Sequence, residues 1–252
     1  MSCPVIYEPR TYRDFGDDGR FKTFRVVVET SDLYIKALLC LEKETESLVR
    51  KCRTQIEDAI ARRPEFLKSF TPIDEDPADA PVPRSMTRAA RKAGTGPMAA
   101  VAGAVAEFVG RALLELSPEV IVENGGDIFL MVTRPVVVGL FAGDSPFTGR
   151  VGLNVGPTPL PLGICTSSGT VGPSISFGKA DAAVIVSKDV SLADAVASGL
   201  GNRVRKPRDL KKAVEWAMTI QGVEGALAAI GNNFAALGDI ELAPIASGPL
   251  PA

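Results

Sequence analysis

Four short stretches of this chain concentrate the residue types that do chemistry. The first is Glu123-Asn124-Gly125-Gly126-Asp127, two carboxylates and an amide around a glycine pair. Such a set can orient a sugar hydroxyl, an amine or a cation. The second is Cys165-Thr166-Ser167-Ser168-Gly169-Thr170, a hydroxyl-rich loop set between apolar runs. It suits a ligand that wants hydrogen bonds, and it places Cys165 as a candidate nucleophile or sulfur carrier, or else as a small buried hydrophobe. The third is Asp194 and Ser198, four residues apart and so on one helical face. A carboxylate and a hydroxyl at that spacing suit a hard cation such as Mg²⁺; a capping carboxylate beside a packing serine is the simpler reading of the same spacing. The fourth is Gly94-Thr95-Gly96-Pro97, a glycine loop opening a helix. Its free backbone N–H groups and the helix dipole could take a phosphate, with Arg88, Arg91 and Lys92 close by in sequence. An ordinary capped helix reads the same way.

The composition limits the chemistry further. Histidine is absent from all 252 residues. That excludes Ser-His-Asp and Cys-His catalysis and any His-ligated metal. A net charge of −2 argues against a general nucleic-acid surface. The expected partner is a small-molecule ligand. The four cysteines, Cys3, Cys40, Cys52 and Cys165, form no CxxC. If Cys40 and Cys52 share one helix they stand about 18 Å apart along its axis, beyond disulfide reach. Reduced thiols and a cytoplasmic setting follow. The first ten residues, MSCPVIYEPR, contain no apolar signal core, and no apolar run reaches membrane-spanning length.

The elements that must position these groups can be read in order. Residues 1–20 form a polar arm, and 21–29 (FKTFRVVVE) a β-branched strand. Thr30, Ser31 and Asp32 offer caps for a long amphipathic helix over 33–62, ended by Pro64. Residues 71–83 read as an exposed connector and 85–92 as a short basic helix. A second helix follows Pro97, with Ala100, Gly103 and Ala104 marking close packing on one side. This Ala- and Gly-rich helix, 97–115, is either a core element or a contact in a homo-oligomer. Asn124-Gly125 between two apolar runs predicts a hairpin. Further strands are expected over 136–142, 151–155, 164–168 and 182–186, short connections making the sheet antiparallel. Ser191 is expected to cap a helix bearing Asp194, a further helix to span 209–220, and 226–237 to close the fold as a hairpin around Gly231-Asn232-Asn233. A flexible tail is expected from Pro244. The whole chain reads as a single domain.

VENGGDI (Val122 to Ile128), TSSGTVG (Thr166 to Gly172) and ADAVAS (Ala193 to Ser198) occur in this order. Together they resemble the ApbE-like superfamily, which includes the FAD:protein FMN transferases with their NLGGDI-like turn, TSG loop and AD-x-x-A-T helix start. From about Val26 to Leu242 the chain is similar to the soluble, uncharacterised branch of that superfamily. The resemblance implies an α+β fold of antiparallel sheets packed with helices, related to the T-fold type. It implies a pocket for a flavin nucleotide, FAD or FMN, with Gly125, Gly126 and Asp127 matching the GGD turn and Thr166, Ser167 and Gly169 the TSG loop. It implies a divalent cation held partly by Asp194 and Ser198. Where the transferases carry H-x-I-x-D-P-x-T-G, this chain has GPSISFGKAD, with Pro173 where a His is common in the branch. Three functions are therefore open: a flavin- or nucleotide-binding group transferase, a Cys165-dependent factor in the anaerobic sulfur and homocysteine metabolism with which related proteins are associated, or a non-catalytic partner that keeps the fold.

Overall fold

The computed structural model describes residues 19–143, 145–169 and 177–245. The arm at 1–18, Asp144, the loop at 170–176 with Thr170 and Pro173, and the tail at 246–252 lie outside the described residues.

An eight-stranded antiparallel sheet forms the centre of the fold. Its strands in chain order are β1 (Lys22–Val28), β2 (Ser31–Ala37), β3 (Val120–Asn124), β4 (Asp127–Met131), β7 (Leu162–Ser167), β8 (Ala182–Ser187), β9 (Val223–Ile230) and β10 (Asn233–Gly238), which are also neighbours in that order. Helices α1 (Glu42–Arg62), α3 (Pro81–Ala93), α4 (Val101–Leu113), α5 (Val190–Arg203) and α6 (Leu210–Met218) cover one face, and α2 (Glu65–Lys68) is a single turn after α1. The other face carries a second sheet of β5 (Val136–Gly139), β6 (Val151–Val155) and β11 (Leu242–Pro244). This is the expected α+β class, with antiparallel pairing throughout.

Side chains of the central strands alternate between two apolar cores, as the two-residue period of a strand requires. On β8, Ala183 and Ile185 join the helix-side core, while Ala182, Val184 and Val186 join the core under the small sheet. On β4, Phe129 points to the helices and Leu130 to the small sheet. Among the described residues no helix is long and apolar enough to cross a membrane.

Several expectations are corrected. Residues 31–37 are a strand and not the start of a helix. The segment alternates, with Leu33, Ile35 and Ala37 fully buried on one face, and it pairs with β1 from Lys22↔Ala37 to Val28↔Ser31. Glu29 turns the chain with φ 52°. Asp32 lies within β2 and not at a helix start; its carboxylate accepts from Arg25 at 2.8 and 3.0 Å. Cys40 therefore precedes α1 and is exposed, while Cys52 is buried within it. The connector at 71–83 is anchored and not simply exposed, because Asp79 is buried and takes hydrogen bonds from both Arg62 and Arg63. Its last residues are already the first turn of α3. Pro244 itself ends β11, paired with Val151, and the rest of the expected tail, 246–252, lies outside the described residues. The strands at 136 and 151 do not continue the main sheet but open the second one. Asp189, not Ser191, is the N-cap of α5, accepting from the Leu192 amide at 2.9 Å.

Helix α4 lies flat on the sheet because glycine lets it. A Cβ on Gly110 would stand 2.1 Å from the Phe129 ring. Gly110→Ala is expected to destabilise the protein by about 1–3 kcal/mol through overpacking, despite the ~0.5–1 kcal/mol that Ala gains over Gly in a helix. Urea denaturation measures this, and Phe129→Leu in the Gly110→Ala background should recover part of the loss.

Candidate functional site

The turn between β3 and β4 is two residues long, and both have positive φ, 70° at Gly125 and 104° at Gly126. This left-handed pair is the reason for two glycines. Glu123 accepts the Gly126 amide at 2.9 Å and ties the turn down. Asn124 donates its side-chain amide to the Ala102 carbonyl at 3.1 Å, fixing the hairpin to the first turn of α4. Asp127 follows at once and is directed to the helix side, the face that also holds Phe129. Pairing of β4 with β7 sets it opposite Cys165. Its Oδ1 is buried with no hydrogen-bond partner among the described residues.

Asp194 reaches the same place from α5. It is buried, and its Oδ2 accepts the Gly103 amide of α4 at 2.8 Å. The carboxylate thus caps a neighbouring helix, not its own. Glu107 of α4 returns the arrangement, with Oε2 accepting the amides of Val190 at 3.1 Å and Ser191 at 3.3 Å at the start of α5. The two helices can approach this closely because Gly103 has no side chain: a Cβ there would stand 2.5 Å from the Val190 carbonyl and 2.8 Å from the Asp194 Cβ. The small-residue side of helix 97–115 is accordingly a core contact with α5, and no subunit contact is needed to explain it.

The electrostatics are those of crowded, dry acids. Burial, followed by the nearby Asp194 charge, pushes the Asp127 carboxyl well above the usual carboxylate range, and Glu123 adds to it. Burial raises Asp194 to about 7, opposed by the Gly103 and Ala102 amides. Cys165 is fully buried and donates to the Val190 carbonyl at 3.6 Å. Burial and the two aspartates lift its thiol well above the ordinary value. A thiol held protonated in this way is not an activated nucleophile, so the geometry is that of a packing residue.

The remaining candidates divide. Thr166, Ser167 and Ser168 are half-buried at the end of β7, and Gly169 is exposed. Gly126 sits over the Thr166 carbonyl, where an added Cβ would lie 3.7 Å away, and Ser167 Oγ is 3.7 Å from where a Cβ on Gly201 of α5 would be. The turn, the end of β7 and α5 therefore converge. Ser198 is half-buried one helical turn after Asp194. Gly94 is exposed and ends α3 in the left-handed conformation, φ 71°. Gly96 is required by packing, since a Cβ there would meet the Ser69 carbonyl at 1.8 Å. Between them the buried Thr95 hydroxyl has no partner among the described residues. Sequence reasoning missed Glu107 and the structural role of Asn124; the small residue at 103 was the only signal that another helix's cap lay there.

Among the described residues no group of three or more His, Cys, Asp or Glu is arranged to hold a metal. Asp127 and Asp194 supply two buried carboxylates, oxygen donors of the kind a hard cation takes, with the Cys165 thiol across from Asp127.

Comparison with known proteins shows the fold and the family. A profile of the family described as AbpE bacteria matches residues 13–233. A UPF0280 protein of Methanocella arvoryzae is 47% identical over 192 residues, covering 75% of this chain and 78% of that protein. One from Methanococcus aeolicus is 41% identical over 193 residues, with 75% and 78% covered. Among solved structures, the flavin transferase ApbE from Vibrio cholerae aligns with a TM-score of 0.55 at 12% identity, over 88% of this chain and 97% of that one. The Pseudomonas stutzeri flavinyl transferase ApbE, apo form, aligns with a TM-score of 0.50 at 13% identity, over 89% and 96%. At such identities the likeness is one of fold. The fold is thus ApbE-like, and the chain belongs to the UPF0280 proteins, within the family described as AbpE bacteria.

Proposed function

We propose that this protein binds a flavin or other nucleotide-like phosphate ligand together with a divalent cation, where the Gly125-Gly126-Asp127 turn, the end of β7 and α5 meet, and that it serves group transfer there. The observation that carries this reading is the buried, unpartnered Oδ1 of Asp127 next to the buried carboxyl of Asp194. A buried carboxylate pair is costly unless something positive neutralises it. A cation would convert that cost into an attraction. Asp127 and Asp194 would hold it, with Ser198 contributing a hydroxyl. When bound it supplies charge neutralisation at a phosphate group. The chain's own groups do the rest: Gly125 and Gly126 leave room for close backbone approach, Thr166, Ser167 and Ser168 offer hydroxyls, and the Thr95 hydroxyl between Gly94 and Gly96 offers a further donor toward phosphate. The likeness of the fold to flavin transferases supports a flavin as the first ligand to try. Three free thiols among the described residues fit a cytoplasmic setting.

Calorimetric titration of the purified protein with FAD, FMN and ATP, each with and without Mg²⁺, tests the reading. At least one is expected to bind, more tightly with Mg²⁺, and Asp127→Asn should weaken the Mg²⁺-dependent affinity by ~10–100-fold. Absence of binding by all three sinks it.

The acids also set a pH dependence. Asp194 is raised from 3.8 to about 7, so the folded protein holds a proton that the unfolded chain has released. Its stabilising effect is complete below the unfolded value and is lost as pH rises through about 7. Without Mg²⁺, thermal stability should therefore fall across this window, and Asp194→Asn should flatten the fall. Added Mg²⁺ favours the ionised acids and should raise the melting temperature most at the alkaline end.

Thiol chemistry separates this reading from a Cys165-based one. Cys52, which burial pushes up to about 12, and Cys165 should both resist iodoacetamide in the native protein, while exposed Cys40 is alkylated. Peptide mass spectrometry reads the result, and rapid native labelling of Cys165 would restore the nucleophile reading.

A further inference from the structure

Facing sheets stand about 10 Å apart, and side chains from both layers must fill the space between them. On β9 the two-residue period sends Leu227 and Ala229 toward the small sheet, and Leu227 joins the core on that side. Ala229 carries no atom beyond its Cβ to reach across. A cavity of about 220 Å³ remains there, lined by Ala229 and walled by Phe147, Val151, Leu227, Phe234 and Leu242. The Phe147 and Phe234 rings meet edge to face, their centroids 5.4 Å apart. Phe234 is 50% and Leu242 38% exposed, and these two mark the mouth.

The side chains of this lining are hydrocarbon except at one point. Arg150, just before β6, is the only ionisable residue among them. Its carbonyl accepts the Ile245 amide at 2.9 Å, which fixes the backbone there. Its guanidinium is exposed and has no ion pair among the described residues. Carbon walls give water few hydrogen bonds, and apolar walls with a few placed polar groups are the usual make-up of a small-molecule site. A cavity of ~150 Å³ takes the six carbons of benzene, so this one has room for about nine.

We propose that the cavity between the two sheets binds a medium-chain carboxylate, its hydrocarbon tail inside and its carboxylate on Arg150. Charge complementarity selects this occupant. A neutral hydrocarbon leaves the guanidinium unused, and a cationic amphiphile meets repulsion at the mouth. A carboxylate on an apolar chain uses the walls and the charge together. The cavity lies on the small-sheet face of the central sheet, whereas Asp127 and Phe129 point to the helices. None of its lining residues belongs to the site around Asp127, so this site does not depend on what binds there.

The test titrates the full chain with decanoate below its micelle concentration, and with decanol as the uncharged control. Calorimetry gives the affinities, and methyl NMR gives the place. Decanoate should bind and shift the methyl resonances of Val151, Leu227 and Leu242. Decanol should bind about three- to fivefold more weakly, the size expected of one exposed ion pair. Arg150→Gln, a change at the surface, should bring decanoate down to the decanol level and leave decanol unchanged. Ala229→Leu, which fills the cavity, should lose both. Failure of the wild-type protein to bind decanoate overturns the proposal, whether the cavity is closed by the rest of the chain or by a second copy. So does decanoate binding that leaves those three methyls unmoved. Equal affinity for decanol and decanoate would mean an adventitious apolar hole only and overturns it as well, a comparison that does not depend on any variant folding.

Discussion

The seam between α4 and α5 is the constraint on which the candidate site depends. Asp194 of α5 accepts the Gly103 amide of α4, and Glu107 of α4 accepts the Val190 and Ser191 amides of α5. Each helix satisfies the other's orphan N–H groups, which a helix start always leaves, and each places an acid where the dipole favours negative charge. The exchange works only at the distance Gly103 permits. A helix pair held in this way fixes Asp194 relative to Ala102, and Asn124 holds the β3–β4 turn to that same Ala102. Turn, strand and helix are thus set against one another by hydrogen bonds between groups far apart in sequence.

Burial at that junction is why the acids at the centre are so perturbed. Asp127 and Asp194 are each buried, and neither has a cation beside it among the described residues. A fold that merely needed small polar residues there could use Asn or Ser at a lower desolvation cost. The seam makes use of one Asp194 oxygen. Asp127 is contacted by the Cys165 thiol and the Thr166 amide, yet its Oδ1 is buried with no hydrogen-bond partner among the described residues, which makes it the candidate ligand-facing oxygen.

The hairpins and buried strands were legible in the sequence because their signals are local. The Asn124-Gly125-Gly126 and Gly231-Asn232-Asn233 stretches each mark a turn between apolar runs, and both hairpins occur, tightened to two-residue turns at Gly125-Gly126 and Gly231-Asn232 with Asn124 and Asn233 as closing residues. The segment 31–37 reads as helix because SDLYIKALL fits a helical stripe as well as a strand alternation, and its β3 partners lie 83 to 91 residues away, from Ala37↔Val120 to Leu33↔Asn124. The anchoring of Asp79 was hidden in a run of Pro, Asp and Ala whose composition suggests only exposure; its two arginines stand at the end of α1. At the site, the motifs named Asp127, the Thr166 loop and α5 separately; among the described residues Asp127 lies across from Cys165 and Gly126 over the Thr166 carbonyl, while the loop at 170–176 lies outside them. Glu107 was invisible, because a glutamate on an amphipathic helix looks like any solvated charge until its partner helix is known. Beside three hydroxyl residues Cys165 reads equally as a nucleophile or as a small buried hydrophobe, and only strand alternation turns it into the helix-side core.

The two-residue turn at Gly125-Gly126 has a consequence for how this family can vary. Asp127 reaches the helix side only because the strand's parity puts it there, with Phe129, while Leu130 goes to the other core. One residue added to or removed from the turn would shift β4 by one position and exchange its two faces. The carboxylate would then enter the wholly apolar layer under the small sheet, and Leu130 would take the place of Phe129 against Gly110. This turn can change only in steps that preserve odd and even, so its length is as much a part of the site as the aspartate that follows it.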